Sequence, residues 1–501
     1  MINYPPYADL GQDISSQQRN SWEAELMRLQ RCDYYYSGAV LQEKVDVELT
    51  NDQDVPLLFP VGLNVVKLLC LAQADTLFGE WEELPVHFSV RQDDEIDSAA
   101  LDAIDLAHSI LENSDAGMLL WEHELDRNVY GGGAIKISPS LNRPPYIQWT
   151  RIPRDGFYPV WNPEDPNDLL EAYIQINMTA EQAKERYGYK TTKDIVARLE
   201  HWTKFRYTNH LDGVLISDMS GVNPWGVVPI VYTPRLRFNN WFGESLAEDI
   251  IPVQDELNMR LADIGDAINY NAHPTRWGLN LPRDFTAANY PLGPNSFWNL
   301  GRSLGSSPEP KVGLLEVGAA VQPGVFNFLN FVYDWARTSS FAPPIAFGED
   351  DGGGQRSGIT LEIRMWPLLK AVKRSRAYLG ASLRRAMRIS GLILRQKNLP
   401  KIPIRAVTAL VDSEVLPRFY NIMPRDQQQA VDEVTKLLST EPKAISIETA
   451  QTVLGRGSGE VRRILQMNET EGLWTNAAKE KEMQPEIAES HQSEKAEKEA
   501  L

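Results

Sequence analysis

Three stretches of this chain hold residues whose types could do chemistry: His123-Glu124, Gly131-Gly132-Gly133 and Glu349-Asp350-Asp351. The first would open a zinc-binding helix, but no His-x-x-x-His pair exists among the seven histidines, so the second ligand is missing. The glycine triplet precedes a predicted strand, whereas a phosphate-cradling loop follows one, and no Gly-x-x-x-x-Gly-Lys-Ser/Thr occurs. The acidic triplet could bind a cation but lacks EF-hand spacing, and a solvated loop tip is the plainer reading. Gly455-Arg-Gly-Ser-Gly459 places its serine one residue late for a nucleophile elbow. Thirteen tryptophans and many acids would suit a carbohydrate-active hydrolase with paired carboxylates. No such pair stands out, and long charged helices fit that class poorly. The residues therefore predict no catalytic group, metal site or cofactor.

The elements that must position these residues are organised around 325–398. A first helix, Val325 to Phe341, puts Phe328, Phe331 and Trp335 on one face. A loop follows from Ala342 to Ser357, where two prolines and four glycines argue against regular structure. A second helix runs from about Ile359 to Asn398, with Leu361, Met365, Leu368, Val372, Leu379 and Leu383 as its apolar stripe and Trp366-Pro367 as a kink. At about 1.5 Å per residue it would be roughly 60 Å long, too long for a small core to cover. It carries ten Lys and Arg against one acid, Glu362. Two readings stand: a solvated face, or one paired with a neighbour's acids, and a surface offered to a polyanion.

The chain has 501 residues, enough for two to four domains, and a formal charge of −18. That acidity argues against a general nucleic-acid coat. Two cysteines, Cys32 and Cys70, suggest a reducing compartment without a disulfide framework. No signal peptide or membrane span is visible, and a soluble, intracellularly made protein is expected. Helices are predicted over 15–36, 63–78, 98–113 and 117–129, and strands over 45–49, 86–90, 134–138, 146–150 and 172–177. Thr179 with Gln182 forms a capping box for a helix to Tyr187. Glu200 to Tyr207 and Gly213 to Ser217 read as a hairpin, so the first half is α+β. Ser245 with Glu248 forms a capping box that starts an acidic amphipathic helix, which Pro252 interrupts; its seven acids make it a natural neighbour for the basic helix. Further on, Ile404 to Val411 reads as a strand, followed by short helices near 425–439, 447–454 and 459–467 and a tail of low order.

The order of these parts resembles the tailed-bacteriophage portal protein family, in particular portals similar to that of phage SPP1. The resemblance rests on Gly226-Val-Val-Pro-Ile-Val231, Phe242-Gly-Glu-Ser245, Gln254-Asp255-Glu256-Leu257-Asn258, the Gly/Pro-rich excursion, the glycine loop and the long helix headed by Ser357-Gly358. It spans roughly 20–470. It implies a non-enzymatic ring of twelve subunits at one capsid vertex, assembled in the host cytoplasm and carrying double-stranded DNA for packaging and genome ejection. The implied anatomy is a wing over 1–242, stem helices over 243–272 and 323–341, and a small α/β clip over 273–322. A tunnel loop would span 342–358 and a kinked spine helix 359–398. A wing strand would lie within 399–424, a helical crown over 425–474, and a disordered tail over 475–501. The implied partners are copies of the chain, DNA without base readout, the terminase large subunit, a head-tail adaptor, the major capsid protein and a scaffolding protein, with no membrane. The resemblance makes Glu349, Asp350, Asp351, Gly352, Gly353, Gly354, Gln355 and Arg356 the channel-facing loop, and Arg283, Arg302 and Lys311 clip candidates. Each clip base could equally be a subunit–subunit ion pair. An adaptor-type virion connector is the other oligomeric reading.

Overall fold

The computed structural model describes residues 15–40, 62–79, 84–90, 98–140, 144–238, 240–272, 276–281, 309–314, 323–349, 358–397, 402–412, 415–422, 432 and 434–437. Helix α1 (Ser16–Ser37) starts where the Ser15 side chain accepts the Gln18 N–H and stops at Gly38 in the left-handed region. Helix α2 (Val65–Phe78) starts under the Asn64 side chain and stops at Gly79. Both helices end within a residue of where the sequence predicts. Strand β1 (Val86–Val90), helices α3 (Ser98–Asn113) and α4 (Ala116–Tyr130), and strands β2 (Gly132–Pro139) and β3 (Ile147–Ile152) follow. Next come β4 (Phe157–Trp161), β5 (Leu169–Thr179), α5 (Ala180–Tyr187), β6 (Ile195–Thr203), β7 (Arg206–Leu211), β8 (Val214–Leu215), β9 (Gly221–Val222) and β10 (Ile230–Pro234). The Thr179–Gln182 capping box is present with both of its reciprocal bonds. The second half holds α6 (Leu246–Ala272), β11 (Arg276–Leu279), β12 (Lys311–Leu314), α7 (Pro323–Ser339), α8 (Gly358–Lys397), α9 (Ile404–Val411) and β13 (Val415–Phe419).

The strands form four antiparallel sheets: β1-β13, β10-β2-β3, β11-β12 and β4-β5-β6-β7-β8, with β9 also on β7. The main core joins α3, β2 and β3 to α8 and α9, through Ile110, Leu111, Ile137, Trp149, Leu379, Leu383 and Leu410. A second core packs Trp22 of α1 edge-on against Tyr158 and Tyr173 of the large sheet. A third gathers α1, α2, α6 and α7 around Leu69, Ile250, Leu257, Val332 and Ala336. Cys32 and Cys70 are free and buried, and burial pushes their thiols up to about 11 and about 12. Among the described residues no helix is long and apolar enough to cross a membrane.

Four expectations are corrected. Ile404–Val411 is a helix, not a strand. Ala406, Val407, Ala409 and Leu410 are instead buried on one helical face between α3 and α8, and tertiary burial overrides β-branched propensity. The strand of that region is β13. Second, the run Glu200–Tyr207 breaks into β6 and β7, because the Thr203 hydroxyl accepts the Phe205 and Arg206 N–H groups and closes a turn without glycine. Third, Ser245 caps Glu248 N at 3.2 Å, but the Glu248 carboxylate bonds Arg28 of α1 instead of completing the box. Fourth, the acidic α6 has α7, α2, α4 and α1 as its main neighbours rather than the basic α8. Pro252 and Pro367 lie inside helices that run on through them. The strand expected at 45–49 and nearly all of the short helices expected after 424 lie outside the described residues.

Candidate channel loop and the joint that holds it

Helix α7 ends at a built corner. Ser340 donates its hydroxyl to Arg337 O at 2.8 Å, and Ala342 N reaches the same carbonyl at 3.0 Å. Phe341 takes a left-handed φ of 58°, and the Arg374 guanidinium of α8 lies 5.7 Å from its ring centroid. The chain then makes a 3₁₀ turn, Pro344–Phe347, against α8, which Gly348 closes at φ 76°. The prolines that seemed to forbid regular structure enable this turn, because proline at its first position pre-sets φ. Glu349 folds back onto α7, where its carboxylate accepts from Arg337 at 2.6 Å. Arg337 also pairs with Asp334 at 2.6 Å and lies 4.6 Å from the Tyr333 ring centroid. Of the channel-facing candidates, Glu349 is thus an ion-paired anchor, and Asp350 to Arg356 lie outside the described residues. Lys311 is exposed on β12, opposite Leu279; Arg283 and Arg302 lie outside the described residues.

What holds this corner is a set of buried polar clamps. Gln73 of α2 donates its side-chain amide to Ser340 O. At the other end of α2, the Gln254 carbonyl of α6 accepts Val65 N at 2.6 Å and its amide bonds Leu63 O. The last turns of α4 carry most of the load. Asp126 takes a bidentate pair from Arg151 at 2.6 and 2.7 Å, and Asn128 donates to Cys70 O at 3.2 Å. Arg127, fully buried, contacts Glu124 and donates to Pro234 O and Ser375 O, both at 3.2 Å. Ser375 returns its hydroxyl to Glu124 at 3.1 Å. Burial alone drives the Glu124 carboxyl up and the Arg127 guanidinium down; their contact offsets part of both. One guanidinium therefore ties α4, the end of β10 and the middle of α8. Beside it, Gly131 and Gly243 cross backbone to backbone, with φ 85° and 92°. On α1, Arg28 bridges Glu25 and Glu248, and Arg154 shares Glu25 at 2.6 Å.

A model of the family described as phage portal protein, SPP1 Gp6-like, matches residues 16–471. The chain belongs to the SPP1-like phage portal protein family. A search of curated proteins found no match. Portal proteins of this family are structural, non-enzymatic virion components that form an oligomeric connector in the phage head. In this portal chain the polar groups of α4 hold elements together. Sequence reading weighed His123-Glu124 for metal chemistry and passed over Asp126-Arg127-Asn128. Three consecutive polar residues in a helix cannot all face water when its flanks are apolar, and that was the available signal.

His123 of the portal chain is wholly buried, with neither ring nitrogen bonded among the described residues, and it lies against Gly133. Burial first, then Arg127 and Arg151, lowers its pKa to about 3. The unfolded chain binds that proton near pH 6.5, so it holds more protons than the folded chain between pH 6.5 and 3. As the pH falls through that window, stability is expected to drop by about 1.4 kcal/mol per pH unit from this group alone. His123→Leu should flatten the denaturation profile there, and an unchanged slope in the variant would sink the assignment.

Proposed function

We propose that this portal chain assembles into a ring of twelve at one capsid vertex and that double-stranded DNA passes through the ring during packaging and ejection. Helices α6 and α7 are its stem, 273–322 its clip, 342–358 its tunnel loop, α8 its spine, and 425–474 its crown. The clip would dock the terminase large subunit and then the head-tail adaptor. The observation that carries the reading is a stem without cover. Helix α7 buries Val332 and Ala336 on α6 but leaves Phe326, Phe328, Phe331 and Trp335 at 50, 42, 59 and 57 % exposure. On α6, Met259 and Ile268 stand out in the same way, at 47 and 54 %. Fully burying such a side chain is worth about 1.5–3 kcal/mol. Aromatic rows on a two-helix arm mark an interface, and neighbouring copies would supply the cover. DNA needs only sequence-blind contact in such a channel, which backbone charge supplies and base edges do not.

Light scattering tests the assembly. Twelve chains of 56.6 kDa give about 0.7 MDa. The wild type should run near that mass, and Phe331→Ser with Trp335→Ser should lose at least tenfold in ring yield while keeping its helical circular dichroism. A wild-type monomer under all conditions tried, including with capsid partners, would overturn the reading.

A further inference from the structure

In its second half α8 carries a straight stripe of three arginines. At about 100° per residue, Arg384, Arg388 and Arg395 fall within roughly 40° of arc, opposite the buried Leu379, Leu383, Met387 and Leu394. All three are exposed, and none forms an ion pair with another described residue. They span about 16 Å of helix. Helix α3 carries the counterpart. Asp102, Asp105 and Glu112 fall within roughly 80° of arc and span about 15 Å. None of them is ion-paired to a described residue either, and from Ser98 to Asp126 the chain has no Lys or Arg. Both helices bury their other faces in the same core, and α9 packs against both. The acidic and basic stripes therefore both point away from one shared core, and among the described residues no ion pair within a subunit joins them.

We infer that in the assembled ring the Arg384-Arg388-Arg395 stripe of each subunit docks on the Asp102-Asp105-Glu112 stripe of the next copy. This rests on the reading of the chain as a ring subunit. Two unlike, complementary faces on one chain make a head-to-tail contact, the kind a closed ring requires, whereas a self-complementary face makes a dimer. The lengths of the stripes agree, and their spacings of 4 and 7 against 3 and 7 residues put three charges opposite three. The competing occupant of a basic stripe is DNA. A surplus of acids on the same chain, 68 against 50 bases, and a matching acidic stripe favour the copy.

A charge-swap series decides it, read by light scattering of the full chain with circular dichroism to establish folding. Arg384→Glu, Arg388→Glu and Arg395→Glu together should cut ring yield at least tenfold, and so should Asp102→Lys, Asp105→Lys and Glu112→Lys. The six-fold combination should recover most of the loss. Neutral versions (Arg to Gln, Asp to Asn, Glu to Gln) should lose less, and raising salt from 0.1 to 1 M, which shortens the screening length from about 10 to about 3 Å, should weaken the wild-type ring. Loss in both triples without recovery in the combination would overturn the pairing. Rings that survive both triples would overturn it while leaving the ring reading intact, and an arginine triple that forms rings but no longer retains DNA would reassign the stripe to DNA. A wild-type chain that never forms rings would overturn both readings.

Discussion

Arg127→Met is expected to cost about 3–5 kcal/mol, the penalty for stripping one partner from a buried ion pair. The loss has three parts. Glu124, almost wholly buried, loses its contact partner and keeps only the Ser375 hydroxyl bond and the charge of Arg235. The carbonyls of Pro234 and Ser375 lose a charged side-chain donor, and hydrogen bonds to charged groups are worth about 1.5–3 kcal/mol each. Helix α8 also loses its tie to α4 near its midpoint. Chemical denaturation followed by circular dichroism should show the midpoint fall, and the variant should assemble poorly. Changing both partners to apolar residues, Arg127→Met with Glu124→Met, is expected to recover part of the loss, because the stranded charge goes with it. A single variant as stable as wild type, or a double variant worse than the single, would mean that Arg127 is not the tie described.

Gly131→Ala and Gly243→Ala are each expected to destabilise by on the order of 3–5 kcal/mol, combining left-handed strain with a backbone collision. At both positions φ is positive. A Cβ on Gly131 would lie 2.9 Å from the Gly243 carbonyl carbon and closer still to its oxygen; a Cβ on Gly243 would meet Gly131 O in the same way. The neighbours in the way are main chain, so no side chain can swing aside. Gly226 is the control. Its φ is 68°, but nothing lies within 4 Å of a Cβ there, so alanine should cost only about 1 kcal/mol. Equal losses at all three positions in a denaturation series would show that the crossing adds nothing beyond φ.

What the sequence made legible follows from how local each signal is. Gly38 and Gly79 stop helices through their own φ, and the Thr179–Gln182 box acts over three residues. The bounds of α8 came within a residue, because its apolar stripe is long and its flanks are rich in Gly, Pro and Asn. The failures depend on partners far along the chain. Ile404–Val411 is helical because α3 and α8 bury one of its faces, and neither contact can be seen from within the segment. Glu349 reads as a free loop acid until Arg337 is brought beside it by the 3₁₀ turn. Arg127 reads as a surface cation until Pro234 and Ser375 converge on it, 107 and 248 residues away. Buried polar joints of this kind leave little trace in periodicity, since they interrupt the apolar pattern that makes a helix face readable.

The pairing of β1 with β13 sets the order of events during synthesis. Val90 meets Val415, and the main core likewise draws on α3 early and on α8 and α9 late. Strand β1 cannot pair with β13 until some 325 further residues have left the ribosome, roughly 16–65 s at 5–20 residues per second. Helices α6 and α7, with their open aromatic face, emerge inside that interval. A nascent chain thus offers that face before the β1–β13 sheet is closed. Under the proposed ring assembly, incomplete chains on neighbouring ribosomes that meet by this face make the yield of assembled protein sensitive to translation rate and to chaperone supply. Slowing synthesis between the codons for Val90 and Val415 should therefore shift the product from rings toward aggregate, even though the finished sequence is unchanged.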